Sequence, residues 1–234
     1  MSKEHRTVRR VTTILETVAT RAGGVRLATL AEVLDAPKSS VHGLVQGLIA
    51  AGYLTDDDGE YHMGPAARVL LSGPDRPSLA ERAHPAMVRL RDRFDETVTL
   101  GEPVGDSVVY IHTVESAQPV RYSPPLRERR PLYPTAMGKL VLAHMSARRS
   151  AAHLDPADRE RVLDELARVR ADGVAYDRAE SVPGLSAVGA PITADGAVVA
   201  CLTIAGPADR VTDRLTDYAP VLGAAARDLS TGPR

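Results

Sequence analysis

The feature that most constrains this chain is one break, Ser72-Gly73-Pro74-Asp75-Arg76-Pro77. Proline fixes φ and removes a backbone donor, so neither a helix nor a strand is expected to run through it. The apolar pattern differs on its two sides. Before it, apolar residues recur at helical spacing; beyond it, helical stretches mix with alternating ones. At 234 residues the chain has room for one large domain or two small ones. The break therefore predicts a division into residues 1–63, a linker helix and loop at 64–77, and a larger unit at 78–234, an α+β architecture.

Val8, Val11, Ile14, Leu15 and Val18 predict an amphipathic helix over residues 6–20, stopped by Gly23-Gly24. Thr29, with Glu32 three residues on, predicts a capping box that opens a second helix with Leu30, Val33 and Leu34 on its apolar face. Asp35-Ala36 reads as a tight turn, and Pro37 suits a first helical position. A third helix runs to about Ala50, burying Val41, Leu44, Val45 and Leu48, and Gly52 ends it. Residues 53–55 and 60–63 flank an Asp58-Gly59 turn and predict a hairpin. Helix, helix, short turn, helix, hairpin is the order of a winged helix-turn-helix.

Beyond a linker helix at 64–71, Ser78 and Glu81 predict a capped helix to Phe94. Strands are expected at 98–104, 108–114, 186–193 and 198–204, with hairpin turns at Asp106-Ser107 and Asp195-Gly196. Helices are expected at 135–145, at 156–170 with Asp155 as N-cap, and at 212–229.

A helix can enter the major groove only if its leading residues are small or polar and its back is apolar. Lys38, Ser39, Ser40 and His42 are polar, opposite the apolar set of the third helix. Lys38 and His42 can contact phosphate or a base, and the two serines can donate or accept. Over residues 1–50, Lys3, Arg6, Arg9, Arg10, Arg21, Arg26 and Lys38 stand against Glu4, Glu16, Glu32 and Asp35, a net of +3. That is the sign phosphate contacts need, and Arg9 joins the candidate DNA contacts. The wing tip, Asp56 to Asp58 with Glu60, has the opposite sign and is expected to sit away from the phosphates. On these residues alone a small bundle with Ser39-Ser40 on a solvated face stays open.

Pro37–His42, Gly52–Leu54 and Tyr61–Gly64 resemble the winged helix-turn-helix of the IclR family of bacterial transcription regulators. Further blocks resemble it in the same order: Arg82–Pro85, Pro131–Lys139 with Leu142-Ala143, Arg170–Gly173, Gly189–Ile192, Ile204–Pro207 and Arg210. The resemblance implies a ligand-responsive DNA-binding regulator, commonly a repressor, on a palindromic operator. It implies a homodimer or a dimer of dimers, with residues 7–18 and the linker helix as candidate dimer surfaces. It also implies a GAF-like C-terminal domain binding a small organic effector. Carried onto matching positions, the effector residues are Thr135, Ala136, Met137, Asp177, Leu185, Ala187 and Thr203. A helix starting at Thr135 would offer free N–H groups to a carboxylate or aromatic acid. Two departures stand out: Gly43 where the family commonly has Arg, and Tyr133 where it often has His.

Other functions lack their signatures. Cys201 sits in an apolar stretch and reads as an inert thiol, and Ser186 lacks a nucleophile elbow. No GxGxxG, Walker A or HExxH pattern occurs, so no cofactor, metal or enzymatic activity is expected. Arg121, Arg127, Arg129 and Arg130 form either an anion site or a solvated rim, and Lys139 reads as structural. No apolar run reaches membrane-spanning length, and residues 1–10 lack a signal peptide's apolar core, which points to the cytoplasm. The alternative function is a small-molecule-binding or enzymatic α/β domain whose N-terminal bundle binds protein.

Overall fold

The computed structural model describes residues 5–21, 23–67 and 77–230. The chain divides into two compact units between residues 76 and 77. The first contains α1 (Arg6–Ala19), β1 (Val25–Arg26), α2 (Leu27–Val33), α3 (Lys38–Ala50) and the hairpin β2 (Leu54–Asp57) and β3 (Glu60–Met63). Ile14, Val18, Leu30, Val41, Val45, Leu48, Leu54 and Tyr61 form its buried core.

The expected cap at Thr29 is corrected by the sheet. Residues 25–26 pair with β3, Val25 opposite Tyr61 and Arg26 opposite Glu60, so the chain leaves a strand directly into α2. The helix therefore starts at Leu27, and Thr29 lies inside its first turn. Asp35 takes a left-handed φ of 44° in the turn to α3, and Gly52 ends α3 with φ of 76°. Pro37 stands at the N-cap of α3, one residue before the expected place. Asp58 and Gly59, both at positive φ, make the tight turn of the wing. Most of the expected linker helix and of the break at 72–77 lies outside the described residues.

The second unit is a six-stranded antiparallel sheet with helices on both faces. Its strands are β4 (Thr97–Val104), β5 (Ser107–Val114), β6 (Arg129–Pro131), β7 (Ala175–Arg178), β8 (Leu185–Ala194) and β9 (Ala197–Pro207), ordered β6-β5-β4-β9-β8-β7. Its helices are α4 (Leu79–Phe94), α5 (Ala136–His144), α6 (Ala147–Ala151), α7 (Arg159–Asp172), α8 (Ala208–Val211) and α9 (Leu215–Leu229). Ser78 caps α4 through the expected box with Glu81.

Alternation along the strands sorts the two faces. Val98, Leu100, Val188, Ala190, Leu202 and Ile204 bury against Met87, Leu90, Tyr218 and Leu222 of α4 and α9. The alternate set faces α5 and α7, with Tyr110, Cys201 and Ala175 packing on Met137, Leu140 and Leu166. The expected turn at Asp106-Ser107 is one residue early, at Gly105-Asp106, because Val104 pairs with Ser107 and Gly105 supplies the positive φ of 61°. The helix expected from Pro156 begins at Arg159, since Asp155 Oδ1 accepts from the Ala157 N–H and folds a turn ahead of it. Residues 212–214, expected as α-helix, form a 3-10 turn before α9.

Two buried ion pairs tie this unit together. Glu96, 1% exposed, accepts from Arg210 Nε and Nη2, and Gly206 leaves room for its carboxylate. Lys139, on the fully buried α5, reaches Glu165 of α7 at 2.7 Å, Glu180 at 2.8 Å and the Tyr176 carbonyl at 2.8 Å. Burial alone would push the lysine pKa down; the two carboxylates outweigh it and hold it above the usual value. Among the described residues no helix is long and apolar enough to cross a membrane.

Candidate functional site

The first candidate surface is the leading edge of α3. Val41, Val45 and Leu48 are buried, so the helical period turns Lys38, Ser39, Ser40 and His42 to solvent. All four are exposed, and so is Arg9 on α1. Gln46, one turn beyond His42 and equally exposed, extends this edge; its polarity in a helical window was the available signal. Gly43 and Gly47 lie on the open side, with nothing within 4 Å of where a Cβ would stand. Asp56, Asp57 and Asp58 of the wing are exposed, while Glu60 is paired with Arg26. The surface can therefore offer hydroxyl, amide, imidazole and ammonium groups along one helix edge. That is the equipment for base edges and phosphates.

The second candidate site lies on the α5 face of the large sheet. Ala136, Ala187 and Ala205 cluster there with Leu185 and Tyr122. Asp177 pairs with Ala187 in register, and Thr203 pairs with Gly189, on the same face. Small side chains let α5 approach the sheet closely: a Cβ on Gly189 would meet Leu140 and the Thr203 methyl at 3.1 and 3.2 Å. Met137 is instead engaged in the core, its sulfur covering Gly101 beside the Tyr110 ring.

Two of these residues already have local work. Thr135 caps α5, accepting from the Gly138 N–H at 3.0 Å and donating to the Leu132 carbonyl at 3.1 Å. Asp177, 2% exposed, accepts from the N–H groups of Glu180 and Ser181 and from the Ser181 hydroxyl, which fixes the turn after β7. The N–H groups of Ala136 and Met137 are left free by helix geometry at the start of α5.

Further polar groups stand on this face. Thr99, opposite Thr203 in register, is 1% exposed, and its Oγ1 has no partner. The phenols of Tyr110 and Tyr122 are both held above the usual tyrosine range, chiefly by burial. Arg130 opposes that shift in both, and Asp177 adds to it. Strands β6 and β7 are the opposite edges of the sheet. Thr97 and Thr99 at alternate positions of an apolar strand were a usable sequence signal; Arg130 stood among four arginines read as an anion site or a solvated rim, and Tyr110 and Tyr122 gave none.

The two side chains weighed as nucleophiles, Cys201 and Ser186, are both engaged in the fold. Burial pushes the Cys201 thiol up to about 12, far from a reactive thiolate. Ser186 hydrogen-bonds Thr212, with no base beside it. Among the described residues no cluster of His, Cys, Asp and Glu is placed to hold a metal ion.

The family model "Bacterial transcriptional regulator IclR C-terminal" matches residues 75–231, and the "IclR helix-turn-helix domain" matches residues 7–58. The chain is 31% identical to the HTH-type transcriptional regulator BhcR of Paracoccus denitrificans, over 97% of this chain and 87% of that protein. It is 29% identical to the HTH-type transcriptional repressor AllR of Escherichia coli K12, over 93% and 86%. An IclR homologue from Microbacterium hydrocarbonoxydans, crystallised with 4-hydroxybenzoate, shares its fold with a TM-score of 0.75 at 21% identity, over 96% of this chain and 97% of that one. An exposed polar helix edge on a small winged unit, and a buried polar patch under a helix of a larger α/β unit, are what such regulators need. The chain belongs to the IclR family: it is a ligand-responsive, DNA-binding transcriptional regulator and not an enzyme.

Proposed function

We propose that Lys38, Ser39, Ser40 and His42 of α3, with Arg9 of α1, contact a palindromic operator, and that the chain acts as a repressor in the cytoplasm. The observation that carries this is the exposure of all four α3 residues while Val41, Val45 and Leu48 of the same helix are buried. One such helix reads few base pairs, so a two-fold assembly on paired half-sites follows, as a homodimer or a dimer of dimers. Val8, 60% exposed on α1, supports that surface as the contact between copies. AllR, a relative named as a repressor, supports the sign of regulation.

The effector is a small organic molecule, a carboxylate or an aromatic acid, held by Thr135, Ala136, Met137, Asp177, Leu185, Ala187 and Thr203. The shared face of Asp177, Leu185, Ala187 and Thr203 beneath the start of α5 supports this set. Regulation is then a linkage: the ligand changes operator affinity by the ratio of its own affinities for the DNA-competent and incompetent states.

A gel-shift titration with the DNA upstream of the protein's own gene tests the first half. Binding weakens steeply with salt, and Ser39→Ala with Ser40→Ala lowers it about tenfold or more at unchanged stability. An unaltered shift would sink the assignment of α3. For the second half, Thr203→Val removes the stabilisation that a bound effector gives in a thermal scan.

A further inference from the structure

We propose that Arg130 binds the carboxylate of an acidic effector, so that the acid end of the ligand lies on the β5–β6 side of the site, beside Tyr110 and Tyr122. The inference rests on the effector-site reading above and names its charge-selecting residue.

Register places the arginine. Arg130 pairs with Val108 of β5, so it shares a face with Val108 and Tyr110, the face that α5 covers. Its fellow arginines are differently placed. Arg121 is paired with Glu115, Arg129 donates to the Val104 carbonyl, and Arg127 is exposed. Arg130 is half-buried, its Nε–H is buried without an acceptor, and among the described residues it forms no ion pair.

A guanidinium N–H taken out of water without an acceptor is costly, and native proteins rarely leave one so. Asp177, a buried carboxylate on the same face of the sheet, has its oxygens taken up by the 180–181 turn. The missing acceptor is therefore expected from outside the chain. A carboxylate suits it, because the planar guanidinium fork meets two oxygens at once.

The neighbours agree with that ligand. Tyr110 and Tyr122 carry phenolic O–H groups on this side of the site, which can donate to an anion. Thr97 accepts no role in binding; its hydroxyl donates to the Tyr122 carbonyl and fixes the loop that carries this phenol. Farther along the same face stands the unpartnered Thr99 hydroxyl, opposite Thr203. A ligand with its carboxylate at Arg130 and a hydroxyl or carbonyl oxygen at the two threonines would satisfy both orphaned groups. At the start of α5 Thr135 uses only the Gly138 N–H, so the N–H groups of Ala136 and Met137 remain for a further acceptor oxygen of the ligand.

The experiment pairs acids with their neutral amides on the full chain. Acetate, benzoate and 4-hydroxybenzoate are titrated against acetamide, benzamide and 4-hydroxybenzamide, by thermal shift and calorimetry, up to about 10 mM, above the millimolar Kd a single charged contact gives. At least one acid binds and its amide binds about tenfold or more weakly; Arg130→Leu removes that preference, and Arg130→Lys keeps part of it. If Arg130→Leu does not fold, a loss of acid affinity in folded Arg130→Lys carries the same reading. Equal binding of acid and amide, undiminished acid binding to either variant, or silence of all three acids overturns it. If amides bind and Thr203→Val abolishes their binding, the effector site stands and the role of Arg130 falls. If acids bind through Arg130 but leave the operator gel shift unchanged, Arg130 stands and the regulatory reading falls.

Discussion

Helices α3 and α5 each carry a chemistry-bearing edge and internal glycine, yet they are built on opposite physical terms. In α3, buried Val41, Val45 and Leu48 line one side, and the other is wet. In α5, every residue from Ala136 to Ala143 is buried, including Lys139. Gly43 and Gly47 of α3 meet open space. A Cβ on Gly138 of α5 would stand 1.7 Å from the Leu132 carbonyl oxygen. A helix that reads an external partner keeps a free edge and tolerates change there. One that roofs an internal site is fixed from all sides, so its glycine is a steric necessity.

The largest expected effect is Gly138→Ala. The added methyl strikes backbone, which cannot rotate away as a side chain can, and the loss is expected to exceed about 4 kcal/mol. Urea denaturation, or failure to recover folded protein, measures it. A variant of near wild-type stability would show that α5 can shift, and the contrast with α3 would disappear.

Next comes Lys139→Met. It keeps the stem's volume but strips Glu165 and Glu180 of their shared partner. The expected cost is about 3 kcal/mol, since removing one side of a buried pair leaves charge uncompensated. Its pH dependence has a definite sign. The folded pKa of Lys139 is raised, so its stabilisation is fully present below the ordinary value of 10.5 and is lost as pH rises through the folded pKa. The stability gap between wild type and Lys139→Met is therefore flat from neutrality to about pH 10 and narrows above it. A gap that opened with rising pH would mean the two carboxylates do not hold the charge.

The same difference between the helices sets what could be read before any coordinates. The apolar stripe of α3 announced its wet edge, and with it Lys38, Ser39, Ser40 and His42. Apart from Lys139 and His144, helix α5 is apolar all round, so periodicity could not say which side faces the sheet. The edge strands were harder still. Arg129–Pro131 and Ala175–Arg178 are short and charged, and each is held by one partner strand, so local sequence showed no strand at either place. Asp177 and Arg130 share a face through the registers that link β6 to β7 across the sheet, a long-range pairing that no spacing encodes. Thr29 failed as a cap for a related reason: pairing of Val25 and Arg26 with β3 sets where α2 begins.

The smallest expected effect is on the open side of α3. Glycine in a helix interior loses more conformational freedom on folding than alanine and has no side chain to repay it. Gly43→Ala and Gly47→Ala each add a methyl to free space, so each is expected to raise the stability of the winged unit by about 0.5–1 kcal/mol. That is a shift of a few degrees in the unit's own thermal transition, measurable against the wild type. The sign matters more than the size. A loss of stability would show that this edge is packed against something in the assembled protein, and the reading of α3 as a DNA-facing helix would go with it. A gain together with weakened operator binding for Gly43→Ala would place that glycine where DNA comes closest. It would also explain physically why the chain keeps an unfavourable residue in the middle of α3.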